Sequence, residues 1–453
     1  MKRFAVALFL ACVALVPGLG LRAERLGYAP EEFASRRASL AKALGEGTVL
    51  LFASTMPSNG IRFRQDNDFY YFTGNEDLNG VLLLDTATGE AHLFLPPQSD
   101  AEIRSDGRNW LGQADAAARW KFTSVQPLAM LNEVLARRRG SGGPQVLWVR
   151  LSERDEVDDS RANKAMSLAR RHNNPLGAQP SEDAWRIETI RSRYPYYELR
   201  DVTPRVDALR VIKSPREIEV LKLNGRLSAE AIRRAIEITR PGRFEYELEA
   251  EATYHLFRNG VQGNGYPAIV GTGPNVNVWH YQENGRQMQA GDLVVMDYGG
   301  SLDYQVVDIT RTWPVSGRFD DLQLRAYQCA LETQKAIIAA MRPGATRQQT
   351  REISEAIYKK WGFGDQRPAS AGHFVGMSVH DVGNYAEPFR PGMVIAVEPI
   401  IEIVDKQLHV RIEDTVLVTE GEPVILSAAV PKEVDELLAL MRQGPGRTTS
   451  ESR

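Results

Sequence analysis

At 453 residues the chain is too long for a single ordinary core, so two domains are expected, and a hydrophobic share of 43% gives both enough to bury. The 55 lysines and arginines nearly balance 58 acids, leaving a formal charge of -3 without a basic block that could follow a phosphate backbone, which argues against a nucleic-acid partner. Two cysteines exclude a thiolate zinc site.

Lys2 and Arg3 precede an apolar run from Phe4 to Val16, followed by small and turn-forming residues up to Ala23. This pattern predicts a signal peptide over 1–23 and an exported, periplasmic or secreted protein. The run is too short to span a bilayer and no later stretch is longer, so no stable membrane span is expected. Cys12 follows Phe9-Leu10-Ala11, a poor lipobox, and after cleavage Cys329 alone remains, so no intrachain disulfide forms.

From Pro30 to Leu44 a helical period places Phe33, Leu40 and Leu44 on one face, with Arg37 as its polar member. Short β-rich runs follow at Val49–Ala53, Asp68–Thr73, Val81–Asp85, His92–Leu95 and Val146–Val149, and the stretch from Ser152 to Pro195 reads as charged and irregular. These elements predict an α/β domain over 24–200. At Ser214-Pro215-Arg216-Glu217 a capping box with proline at the first helical position predicts a long helix toward Ile238. It opens a second domain, 201–442, before a polar tail at 443–453.

The second domain carries an internal repeat. Arg240-Pro241-Gly242 recurs as Arg342-Pro343-Gly344, and Gly291 to Asp297 recurs as Gly392 to Glu398, each an apolar strand ending in a carboxylate six residues after glycine. The histidines keep step: His280 lies 17 residues before Asp297, and His380 lies 18 before Glu398. A duplicated helix–helix–strand–hairpin unit would bring the two acidic strand ends together about a pseudo-twofold axis.

Each acidic strand is followed by a second β-like run with another acid, Asp308 and Glu413. As hairpins, Asp297 would face Asp308 about a turn at Leu302-Asp303, and Glu398 would face Glu413 about one at Asp405-Lys406. Opposed carboxylates in apolar strands repel unless a cation lies between them or they share a proton. Four of them with a histidine fit two divalent ions about 3.5–4 Å apart, and manganese, cobalt or zinc would accept such ligands. His373, flanked by glycines in Gly372-His373-Phe374-Val375-Gly376, is the chosen imidazole ligand; His280 and His380 are assigned as outer groups.

Phe63 to Gly74, Ile269-Val270-Gly271, Asp308-Ile309-Thr310-Arg311-Thr312, Val379-His380-Asp381-Val382-Gly383, Val397-Glu398-Pro399 and Arg411-Ile412-Glu413-Asp414 together resemble the Xaa-Pro aminopeptidase (aminopeptidase P) family of pita-bread metallopeptidases. The resemblance implies an N-terminal creatinase/aminopeptidase-P-like domain before a pita-bread catalytic domain. It implies that Asp308 and Glu413 bridge two ions, most readily Mn2+, with His373 and Glu398 on one and Asp297 on the other. The activity it implies is release of the residue before proline by a metal-bridging hydroxide, from peptide substrates, by a homo-oligomer (dimer or tetramer). Glu398 is then the proton carrier, His380 and His280 contact the oxyanion or substrate, and Arg411 steadies the carboxylates. Ala369 and Gln305 depart from the family pattern and are expected to flank the site. The rivals are a prolidase, for which Arg390 is the available carboxylate clamp, and a non-catalytic peptide-binding module on the same scaffold.

Overall fold

The computed structural model describes residues 27–56, 62–140, 145–174, 176–177 and 179–444; the expected signal sequence and residues 445–453 of the tail lie outside the described residues. The fold is mixed α/β. No helix among the described residues is long and apolar enough to cross a membrane.

The first helix runs over Pro30–Leu44, as its period predicts. Phe33, Leu40 and Arg37 are buried together, and the Arg37 guanidinium donates to the carbonyls of Phe72 and Lys121 at 2.8 Å each. Six strands follow: β1 (Thr48–Phe52), β2 (Val81–Asp85), β3 (Ala91–Leu95), β4 (Ser124–Pro127), β5 (Val146–Val149) and β6 (Glu198–Asp201). They form one sheet in the order β4-β3-β2-β1-β5-β6, with β1–β2–β3 antiparallel and β5 parallel to β1. Two expectations are corrected here. Residues Asn67–Thr73 are helical, because the Asp66 side chain accepts from the Phe69 amide at 3.0 Å and Gly74 ends the turn at φ 65°. The charged stretch after Ser152 contains two helices, Arg161–His172 and Glu182–Arg193, started by the side chains of Ser160 and Ser181.

Ser214 and Glu217 complete the predicted capping box, a device worth about 1 kcal/mol, and the helix runs over Pro215–Ile238. The repeat is structural. The helix pair Pro215–Ile238 and Glu245–Arg258 has its counterpart in Asp321–Ala340 and Arg347–Trp361, and the repeated glycines Gly242 and Gly344 turn the chain at φ 88° and 87°. The first copy carries β7 (Gly263–Asn264), β8 (Ile269–Thr272), β9 (Leu293–Asp297), β10 (Gly300–Leu302), β11 (Gln305–Val306) and β12 (Thr310–Pro314). The second carries β13 (Val394–Val397), β14 (Ile400–Ile403), β15 (Leu408–Arg411), β16 (Asp414–Leu417) and β17 (Val424–Ile425). The antiparallel pair β9–β12 recurs as β13–β16, while the third strand differs, β8 lying beside β9 and β17 beside β16; Trp313, Tyr298, Val294 and Val410 close the core between helices and strands.

The second hairpin keeps the predicted register. Ile400 pairs with Arg411 and Val397 with Asp414, which brings Glu398 level with Glu413. The first does not. Its turn is Asp303-Tyr304, both at positive φ (42° and 65°), so Asp297 pairs with Thr310 and Asp308 lies in the break between β11 and β12.

Candidate metal centre

The end of β9 supplies Asp297, the break before β12 supplies Asp308, the residue after β13 is Glu398, and Glu413 precedes β16. His373 enters from the loop beside β13, where Phe374 bridges to Ile395. A Cβ on Gly372 would stand 2.5 Å from the Ala396 carbonyl oxygen, so glycine lets the His373 backbone lie against that strand.

All five expected ligands line one cavity of about 240 Å³, together with His280, His380 and Arg411. Ligand atoms of Asp308, His373 and Glu413 lie within 4.8 Å of one another. His373 Nε2 is 3.3 Å from Asp308, 3.6 Å from Glu398 and 3.9 Å from Glu413. Its Nδ1 faces the Phe374 carbonyl at 3.2 Å, which holds the proton on that nitrogen and turns Nε2 toward the acids. Arg411, the cation expected to steady the carboxylates, donates to Asp297 at 2.8 Å.

The electrostatics describe a centre that calls for cations. Burial first, then the Asp308 charge, pushes Asp297 up to about 8. Burial and the charges of Asp308, Glu398 and Asp297 raise Glu413 well above the usual carboxylate range. Burial also acts upward on Asp308, but its bond to His373 and that ring's charge bring it down to about 2. For His373 burial opposes the cation, and the Asp308 bond with the Glu398 and Asp308 charges still lifts it to about 9. His380 moves the other way, to about 4, under burial and the His373 charge. Glu413 Oε1 is buried with no hydrogen-bond partner among the described residues, which a bound cation would supply. The donor set therefore fits divalent metal.

Sequence reasoning missed several groups. The Tyr266 hydroxyl lies 2.7 Å from Asp297 and 2.6 Å from Asp308 and joins the two acids, and Asp158, Asp159 and Asn163 reach the same cavity from the first domain. Tyr266 sits in Gly265-Tyr266-Pro267, where only the neighbouring turn residues hint at a close approach. Ala369 and Gln305, expected to flank the site, are not among the residues that line the cavity: Gln305 is buried beside Glu217 at 3.2 Å, and Ala369 packs against hydrophobic core. Arg390 is also outside it, paired with Glu387 at 3.1 Å.

Residues 219–420 match metallopeptidase family M24, and residues 33–147 match the aminopeptidase P N-terminal domain. The Xaa-Pro aminopeptidase of Escherichia coli is 31% identical over 91% of this chain and 97% of its own length. The mitochondrial intermediate cleaving peptidase 55 of Arabidopsis thaliana is 28% identical over 91% and 83%. The solved structure of E. coli aminopeptidase P with the inhibitor Pro-Leu superposes with a TM-score of 0.75 at 29% identity, covering 92% of this chain and 98% of that one. With its fold, its convergent acids and histidine, and relatives alike over nearly their whole length, the chain belongs to the aminopeptidase P group of metallopeptidase family M24.

Proposed function

We propose that this protein is a metal-dependent Xaa-Pro aminopeptidase that releases the N-terminal residue from peptides with proline second. The observation that carries the reading is the convergence of Asp297, Asp308, His373, Glu398 and Glu413 on one buried cavity, in a chain that aligns nearly end to end with an Xaa-Pro aminopeptidase.

Asp308 and Glu413 would be shared between two ions, with His373 and Glu398 completing one position and Asp297 the other. Four carboxylates and one imidazole form an oxygen-rich set, which favours manganese over zinc. When bound, such a pair supplies an activated water and positive charge for the developing oxyanion. Glu398, at 29% side-chain exposure, is the ligand most open to the cavity. Its carboxylate is placed to take the proton of the attacking water and return it to the departing proline nitrogen, which carries no hydrogen of its own in the peptide bond. Burial keeps His380 neutral at pH 7, so its ring can donate one N–H to the oxyanion without carrying charge into the site. His280, exposed at the cavity edge, is placed to orient the peptide. Arg411 and Tyr266 hold Asp297 in one orientation.

Export of the protein is part of this proposal, from Lys2, Arg3 and the apolar run that follows them. The activity is tested with Ala-Pro-Ala, Ala-Pro and Ala-Ala-Ala, each with and without manganese after chelation. Metal-dependent release of alanine from Ala-Pro-Ala, with Ala-Ala-Ala untouched, is expected. Preference for Ala-Pro over Ala-Pro-Ala would replace the reading with a dipeptidase.

A further inference from the structure

Behind the metal cavity a buried ion network joins the two domains. At its centre Asp155, 3% exposed, accepts from both terminal nitrogens of Arg210 (3.1 and 2.7 Å), from Asn67 (2.8 Å) and from the Ser378 hydroxyl (2.8 Å). Arg210 in turn donates to Asp68 at 2.8 Å and to Asp381 at 2.6 Å, and Lys213 donates to the other Asp381 oxygen at 2.9 Å.

The network converges on the segment that carries His380. Met377 accepts through its carbonyl from Arg64, Ser378 donates to Asp155, the Val379 amide donates to the Val157 carbonyl at 2.9 Å, and Asp381 is held by Arg210 and Lys213. Three of these four anchors belong to the first domain. The Asp381 amide also donates to the Phe374 carbonyl at 2.8 Å, the same oxygen that His373 Nδ1 faces. His380 thus lies inside a clamped segment, its ring centroid 4.1 Å from that of His373. A Cβ on Gly376 would stand 2.1 Å from an Asp381 oxygen and 2.5 Å from Lys213 Nζ, so glycine is what lets the ion pair close beneath the segment.

Buried ion networks of this kind are poor contributors to stability, since desolvation consumes most of the Coulomb attraction. In some proteins such groups instead fix one geometry. We propose that Asp155 and Ser378 are positioning residues that set His380 against His373 at the cavity, so that the first domain shapes the catalytic step as well as covering the site. This rests on the reading of His380 as a catalytic group. Displacement of such a group by about 1 Å can cost on the order of a hundredfold in rate.

The test uses the metal-loaded full-length enzyme and a neutral Xaa-Pro-Yaa tripeptide. Ser378→Ala, a small change, should lower kcat about tenfold, and Asp155→Asn about ten- to a hundredfold, with KM moving less than twofold and both variants retaining the wild-type metal content. Asp85→Asn weakens the pair with Arg138 and the turn bonds to the Ala87 and Thr88 amides, in the first domain but away from the network and the segment. It should lower Tm and leave kcat within twofold. In a His380→Ala background, Ser378→Ala should have no further effect on kcat, because its influence passes through that ring. Unchanged kcat in Ser378→Ala, full additivity with His380→Ala, or an equal kcat loss in Asp85→Asn overturns the proposal. Because wild-type cleavage of the tripeptide is measured alongside, failure of the proposed activity is distinguished from failure of this positioning role.

Discussion

Stripping the protein of metal should make its stability fall with pH in a range where the loaded protein is indifferent. The unfolded chain titrates at about 3.9 for aspartate, 4.3 for glutamate and 6.5 for histidine. In the metal-free fold Asp297 holds its proton up to about 8, so its contribution is complete below pH 3.9 and is lost as pH rises through 8. Glu413 shifts in the same direction. His373, raised to about 9, contributes fully below 6.5 and is lost through 9. His380 opposes them only between 4 and 6.5, where the unfolded chain binds the proton that the buried ring refuses. From pH 6.5 to 8 the fall is therefore unopposed within the site. Each extra proton retained by the fold is worth about 1.4 kcal/mol per pH unit, so every such proton held across this window removes about 2 kcal/mol. For a catalytic domain of this size that lowers Tm by about 4–8 °C. Bound divalent cations replace those protons and abolish the slope. Thermal melts at half-unit steps from pH 6.5 to 8, with chelator and again after manganese is restored, measure it. A metal-free Tm that is flat or rising across the window would refute the reasoning.

Asp308→Asn and Glu413→Gln should each reduce kcat at least a thousandfold and lower bound metal below two ions per chain; retention of both ions with activity intact would remove those residues from the shared position. Arg311, fully buried, binds Asp414 at 2.7 Å and donates to the carbonyls of Thr310 and Val430. Arg311→Met should therefore cost about 3–5 kcal/mol, read as a Tm loss of roughly 6–20 °C, and a shift under 2 °C would show that the pair adds little. Arg390→Ala should change the ratio of kcat/KM for Ala-Pro-Ala over Ala-Pro by less than twofold, and selective loss of the dipeptide would make Arg390 the carboxylate clamp. Mass spectrometry of protein from the native host should find an N-terminus near residue 24, and an intact Met1 chain in the cytoplasm would contradict export.

What could be read from the sequence was whatever depends on local chemistry or internal symmetry. The Pro30–Leu44 period, the Ser214 capping box and the matched glycine-to-acid spacings depend on neighbours within a few residues or on the duplication itself, and each has its structural counterpart. Asn67–Thr73 misled because its aromatic run reads as a strand, while the Asp66 cap and the left-handed Gly74 settle it as a helix. The first hairpin misled because facing acids were assumed to mark the register; the positive-φ pair Asp303-Tyr304 fixes the turn one residue later. Tyr266 and the Asp158-Asp159 pair were beyond reach, since their role arises only when distant segments meet at the cavity.

The central claim is tested most directly by titrating manganese into chelated protein while following alanine release from Ala-Pro-Ala and counting bound ions. Activity should be absent in the stripped protein and return fully as binding reaches two ions per chain. Full activity in a preparation verified to be free of metal would contradict the account.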